Sequence, residues 1–218
     1  MVKFSKIDKQ LEKELKQAIR VVAKKLKLKS RSKNFFDKVG DYFVHYMINI
    51  NFPDNKFRVI VSPYIKPYII DDIFWEGFDM ASNSQAPMSL RAVGAFTVDK
   101  FFLPDKIATE DWTIEDLDLE KVETKVFEVL SETHEEVCKL ISSFSDFEDF
   151  YTYVVENAPI PSQYDLMGML LMIHREQYAA ALQMAEDLIA KRQLGKFQNK
   201  SKWINEYIVD YCKERLEK

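Results

Sequence analysis

Between Tyr42 and Val61 the sequence reads YFVHYMININFPDNKFRVIV. Large apolar residues occupy every second position from Tyr42 to Phe52 and again from Phe57 to Val61, which is the spacing of strands with one apolar face. The intervening residues 53–56 have the Pro, Asp and Asn content of a tight turn. The sequence therefore predicts an antiparallel hairpin in which Phe52 faces Phe57.

Two segments after the hairpin are also predicted. Residues 88–98 alternate between two faces and indicate a further strand, whereas residues 68–80 fit a short helix or a strand equally well. The other elements are helical. Apolar residues three or four positions apart predict an amphipathic helix over residues 4–28 and helices from about residue 113 to the end of the chain.

Local signals divide this helical part. One apolar turn is missing at Thr133 and His134, and Ser145 with Glu148 resembles a capping box. Ser162 is expected to cap a helix that continues to about Ala190, before a last amphipathic helix.

The predicted fold class is α+β. An N-terminal amphipathic helix packs on a small antiparallel sheet and is followed by a mainly helical C-terminal half. We place the α+β part in residues 1–104 and the helical region in residues 105–218, packed together as one compact unit. The 47% hydrophobic content supplies enough apolar surface for a core.

The charge is unevenly distributed. Residues 1–38 contain 13 basic and 4 acidic residues, a net charge of +9, while residues 39–218 carry −13. Much of that deficit lies in residues 104–157, with 16 acids and four lysines. Such an uneven charge distribution influences which partners the protein binds and does not determine its fold.

Several classes of protein are disfavoured. The five glycines are too widely spaced for a phosphate-binding loop, and neither HExxH nor GxSxG is present. The N-terminus lacks the apolar region of a signal peptide, and no apolar run is long enough to span a membrane. Two isolated cysteines fit a reducing compartment, so we expect a cytoplasmic protein. Because the common catalytic and cofactor-binding motifs are missing, we expect no cofactor and, on balance, no enzymatic activity.

Two local groups could carry chemistry. His134 and Cys138 are one helical turn apart, but zinc needs three or four ligands, so we expect no metal. Asp71 and Asp72 lie near Trp75 and could act as acid and base, although a turn or a helix N-terminus explains an acid pair as well.

The polar face of the predicted sheet offers a ligand site. It carries His45, Asn49, Arg58 and Arg91, whose donors could hold a carboxylate or phosphate. The alternative is a solvated face, as antiparallel sheets commonly have.

The basic run near the end of the first helix is a candidate partner-binding segment. Its cations are Lys24, Lys25, Lys27, Lys29 and Arg31. They could bind a protein partner, pair with the acidic segment inside the molecule or across a dimer, or simply form a solvated helix face. The scarcity of arginine and the acidic overall charge do not favour nucleic acid.

Two resemblances add to this interpretation. The helix, the basic link KLKLKSRSKNFF over residues 25–36 and the paired strands resemble a bacterial family known as domain of unknown function 4304, over residues 8–80. That resemblance implies an α+β fold and no particular activity. Separately, HREQYAAALQMA over residues 174–185 is similar to the middle of a tetratricopeptide repeat and implies one helical hairpin near residues 163–192.

The sequence thus favours a non-catalytic protein that binds another macromolecule, either a protein partner or a second copy of itself. Two alternatives stay open. One is a small anionic ligand or an enzymatic reaction at the polar sheet face, and the other is weak nucleic-acid binding by the first helix.

Overall fold

The computed structural model describes residues 9–51, 56–104, 107–113 and 119–218. The helices in this part of the chain are α1 (Lys9–Lys25), α2 (Ile70–Gly77), α3 (Ser89–Val93), α4 (Leu119–Ser143), α5 (Phe147–Asn157), α6 (Asp165–His174), α7 (Tyr178–Ala190) and α8 (Ile204–Leu216). The strands are β1 (Lys29–Arg31), β2 (Asn34–Val39), β3 (Tyr42–Asn51), β4 (Lys56–Pro67), β5 (Phe101–Phe102), β6 (Ala108–Thr113), β7 (Gln198–Asn199) and β8 (Lys202–Trp203). The predicted α+β class, with its helical C-terminal half, is confirmed.

The main sheet has the strand order β1-β2-β3-β4-β5, and β6 also pairs with β4. Strands β3 and β4 are neighbours, as the alternating pattern predicts. The predicted turn lies largely outside the described residues, since positions 52–55 fall between the described ranges. The predicted strand over residues 88–98 is wrong, because Ser89–Val93 is helical and β6 supplies the antiparallel partner of β4.

The chain divides into two compact units. The first comprises the described residues of Met1–Val39, Phe43–Ile65 and Phe102–Ser143, and the second those of Gly40–Tyr42, Lys66–Phe101 and Phe144–Lys218. Each unit is therefore assembled from separate stretches of the chain. The boundary suggested by the sequence, between residues 104 and 105, falls inside the first unit.

In the first unit, α1 packs along α4. Most of the apolar stripe predicted for α4 is buried, namely Val122, Val126, Leu130, Val137 and Ile141, while Leu140 is half-buried. On α1, Ala18, Ile19, Val22 and Ala23 are buried as well. The amphipathic pattern of both helices thus places their apolar faces in the core of the first unit.

The gap in the stripe of α4 is filled by polar contacts. Thr133 bonds its hydroxyl to the carbonyl of Val129 at 2.7 Å, and Nδ1 of His134 lies 2.7 Å from the hydroxyl of the fully buried Tyr46. Burial raises the pKa of Tyr46 and lowers that of His134, so both are neutral at pH 7. The phenol and the imidazole therefore share a hydrogen bond between two neutral groups.

In the second unit, the helices after residue 144 differ from the prediction in three details. The expected cap at Ser162 is wrong, because Ser162 lies in a short 3-10 helix (Pro161–Tyr164) and α6 begins at Asp165 without a side-chain cap. Asp146, not Ser145, caps α5 by accepting hydrogen bonds from the amides of Glu148 and Asp149. The segment from residue 163 to 190 is not one helix. It breaks at residues 175–177, where Glu176 has φ +59°, and forms the antiparallel pair α6 and α7.

That pair gives the helical hairpin expected near residues 163–192. Ala181 and Ala185 of α7 are fully buried, which allows close approach of the neighbouring helices α6 and α8. Gly168 of α6 has a comparable role, because a Cβ there would lie only 2.3 Å from the hydroxyl oxygen of Tyr151.

We expect Tyr46→Phe to lower the free energy of unfolding by about 1–2 kcal/mol, because it leaves Nδ1 of His134 without its hydrogen-bond partner. Urea unfolding measures the change. Tyr64→Phe is the matched control, since the described residues make no hydrogen bond to the Tyr64 hydroxyl while its ring stacks on His45 at 5.3 Å. Equal losses in the two variants would show that the Tyr46–His134 bond does not stabilise the unit.

Candidate functional site

The predicted polar sheet face is only partly assembled. His45 and Asn49 lie on β3 and Arg58 on β4 of the first unit. His45 is 4% exposed, and its Nε2 donates to Oδ1 of Asn34 at 2.8 Å. The carbonyl oxygen of the Asn49 side chain accepts a hydrogen bond from Lys33 at 3.2 Å. Internal contacts thus occupy two of these side chains.

Arg91 does not belong to this face. It lies on the short helix α3 of the second unit, because the strand on which the sequence placed it does not form. Pro87 and Gly94 flank that helix, and the amide of Gly94 closes it with a hydrogen bond of 2.7 Å to the carbonyl of Leu90. The predicted set of four ligand-binding residues is therefore not built on one sheet.

Arg91 instead takes part in a buried charge cluster, which we define as Lys66, Asp71, Asp72 and Arg91. Nζ of Lys66 lies 2.6 Å from Oδ2 of Asp71, and both side chains are 0% exposed. The Arg91 guanidinium lies 2.6 Å from Asp72 and 3.5 Å from Asp71. Two cations and two anions thus balance each other.

Asp71 is the centre of the buried charge cluster. It begins the first turn of α2, and its Oδ1 accepts hydrogen bonds from Lys66 at 2.8 Å and from the amide of Val98 at 2.9 Å. Asp71 and Asp72 thus lie side by side in the first turn of α2, and each carboxylate is ion-paired with a cation of the cluster. This geometry fixes the backbone around Val98, and Asp71 is closed to a substrate because its side chain is fully buried.

Aromatic rings enclose the guanidinium of this cluster. The Cζ atom of Arg91 lies 4.1 Å from the ring centre of Tyr68 and 4.9 Å from that of Trp75. The indole of Trp75 donates to the carbonyl of Phe96 at 2.7 Å. Stacking on two rings partly replaces the hydration that the arginine loses on burial.

Burial also changes the titration of the lysines. Desolvation lowers the pKa of Lys66, against the attraction of Asp71. Desolvation and then repulsion by Lys66 lower the pKa of Lys100 to about 8. Nζ of Lys100 donates to the carbonyl of Ala92 at 2.8 Å, so this lysine too holds α3 in place.

His134 and Cys138 are close, as their spacing predicts, with Nε2 3.7 Å from the sulfur. Burial raises the pKa of the Cys138 thiol, which disfavours the reactive thiolate. Within the described ranges, no group of three or more His, Cys, Asp or Glu side chains is arranged to hold a metal ion.

The basic segment of the sequence forms an exposed surface on the first unit. We define the basic surface as Lys24, Lys25, Lys27, Lys29 and Arg31, all of which are exposed. The chain leaves α1 through Lys27, with φ +59°, and buried Leu28 anchors the link before β1. Nζ of Lys25 lies 3.7 Å from a carboxylate oxygen of Glu123 on α4, so the basic and acidic segments meet within the chain.

Comparison with models of protein families, with curated proteins and with solved structures gives no match to this chain. The resemblances to the family of domain 4304 and to a tetratricopeptide repeat therefore stay predictions. None of the described helices is long and apolar enough to cross a bilayer.

We expect Asp71→Asn to lower the free energy of unfolding by about 3–5 kcal/mol, because it leaves a buried lysine without its counter-charge. Asp72→Asn is the matched control, since Asp72 is 26% exposed and contacts only the arginine of the cluster. Adding Lys66→Met to Asp71→Asn should restore part of the loss. Equal effects of the two single variants in urea unfolding would contradict the central position of Asp71.

The lowered pKa of Lys100 predicts a pH effect. Between about pH 8 and 10.5 the folded protein holds Lys100 neutral while the unfolded chain still binds the proton. The stability of the wild type should therefore rise with pH relative to Lys100→Met, and the difference should level off above that window. Chemical unfolding of both proteins from pH 7 to 11 measures it, and a difference that does not vary with pH would refute the assignment.

Proposed function

We propose that this chain is a non-catalytic binding protein that recognises a protein partner with an acidic surface. The observation that carries the proposal is the basic surface. Its five cations lie within eight consecutive residues, from Lys24 to Arg31, with no acidic residue among them, and all five are exposed.

The local backbone supports a binding role. Two turns with positive φ, at Lys27 and Ser32, bound the short edge strand β1, whose three residues are all exposed. Leu28 is 6% exposed and fixes the link to the core of the first unit. The lysines are thus presented from an ordered backbone, which lowers the entropic cost of binding.

Three of the five cations of the basic surface have no counter-charge among the described residues. Lys25 has a partner in Glu123, but that pair is largely exposed at 3.7 Å and stabilises by only about 0–1 kcal/mol. Among the described residues, Lys24, Lys27 and Lys29 make no ion pair. An acidic partner would gain both steering and contacts from these three cations.

A protein partner fits the overall charge better than nucleic acid does. The whole chain has a net charge of −4, and the residues after position 38 carry −13. A chain with a net negative charge repels a polyanion as long as DNA or RNA more than it repels a compact partner. A compact acidic patch on a protein, including a patch on a second copy, needs to approach only the basic surface.

The triple variant Lys24→Glu, Lys27→Glu and Lys29→Glu tests the proposal. We expect it to weaken binding of the partner by roughly 10- to 100-fold, because three exposed charge contacts become repulsive. Thermal stability should change little, since these side chains are exposed. Affinity capture from cell extract, followed by titration of the purified partner, measures the effect.

The matched control is Lys121→Glu, Lys139→Glu and Lys218→Glu, which makes the same change in net charge at exposed lysines outside the basic surface. It should retain the partner. The proposal fails if both triple variants capture the same proteins as the wild type. It also fails if the only material lost is removed by nuclease, which would identify a nucleic acid.

A further inference from the structure

The second unit contains a cavity that none of the predicted sites includes. Its volume is about 140 Å³, and it lies among the first turn of α6, residues 193–197 and the start of α8. An engineered apolar cavity of roughly 150 Å³ in another protein accommodates benzene. The space therefore suits a molecule of about one ring.

The walls of the cavity are mainly apolar. Met167, Met169, Leu188, Phe197 and Ile204 contribute side chains, and Met167 and Met169 are each 1% exposed. Thioether sulfurs make favourable contacts with aromatic rings, and an aromatic wall such as Phe197 packs well against another ring. These walls favour a flat aromatic occupant.

One polar group in this wall has an unused acceptor. Asn205 is 3% exposed, and its Nδ2 donates to the carbonyl of Gln193 at 2.8 Å. Within the described part of the chain, nothing donates a hydrogen bond to its Oδ1. This oxygen is open to the cavity, so a ligand that displaces water from it without donating a hydrogen bond would bind more weakly than one that donates.

The backbone at Gly195 packs closely against Ile204 and Asn205 at the start of α8. Gly195 has φ +93°, and a Cβ there would lie 2.3 Å from Cγ2 of Ile204 and 3.3 Å from Oδ1 of Asn205. Glycine at this position thus permits close approach of residues 193–197 to α8.

The charged groups around the cavity do not favour an anion. Asp99 and Asp165 are among the lining residues, and Lys196 is ion-paired with Asp99. Burial raises the pKa of Asp165, against the attraction of Lys191. Lys196 and Asp99 offset each other, so the lining offers no unpaired cation to a carboxylate or phosphate.

From the size, walls and acceptor we infer that this cavity binds a small uncharged aromatic molecule of one ring that donates a hydrogen bond to Oδ1 of Asn205. Phenol is the simplest compound of this class. The ring contacts Met169 and Phe197, and the hydroxyl donates a hydrogen bond to the amide oxygen that faces the cavity.

Nuclear magnetic resonance of the full chain with ¹³C-labelled methionine methyl groups tests the inference. Phenol should shift the Met167 and Met169 methyl signals saturably, with a Kd of about 0.1–1 mM for a ligand of this size. Toluene has the same shape without a donor and should bind about tenfold more weakly. Benzoate should cause no shift.

Leu188→Phe, which fills the cavity from a half-buried position of α7, should abolish the shifts. Ile189→Phe is the matched control on the next residue, which does not line the cavity, and should retain them. The inference is overturned if phenol leaves both methyl signals unchanged at about 10 mM, ten times the weakest expected Kd. It is also overturned if Leu188→Phe binds like the wild type or if toluene binds as tightly as phenol.

Discussion

The second unit depends on the carboxylate of Asp71. This one group, itself fully buried, accepts hydrogen bonds from the ammonium of Lys66 and the amide of Val98 and lies 3.5 Å from the Arg91 guanidinium. Without it, a buried cation and a backbone amide would lose their partner. The loss in free energy of unfolding would exceed the stabilisation that an exposed ion pair provides. The same contacts hold α2, α3 and the segment around Val98 together, and Val98 with Asp99 forms part of the cavity wall.

The elements that could be predicted are those whose signal is local. Helices α1, α4 and α8 follow from apolar residues three or four positions apart, and β3 and β4 follow from alternation. The segment at 88–98 also alternates, but its fate is set by contacts distant in sequence. Arg91 is buried against Asp71 and Asp72, 20 and 19 residues away, and this pairing overrides a weak local preference for a strand.

The candidate sites also differ in whether their residues are close together in the sequence. The basic surface is one continuous segment, so its exposure could be predicted from alternating lysines and leucines. The cavity draws its wall from residues 98–99, 162–169, 188–197 and 204–205, and no local pattern joins these segments. The Tyr46–His134 bond spans 88 residues, and the missing apolar turn in α4 was its only trace in the sequence. Long-range pairing of this kind is visible only in the folded structure.

The amide of Val98 provides the most direct test of the organising position of Asp71. Val98 lies outside regular secondary structure, so only its bond to the buried carboxylate should protect it from exchange with solvent. Native-state hydrogen exchange should find this amide at least about a thousandfold slower than that of exposed Ala95 in the same segment. Its protection should approach that of core amides in α6. Exchange of Val98 as fast as that of Ala95 would contradict the account.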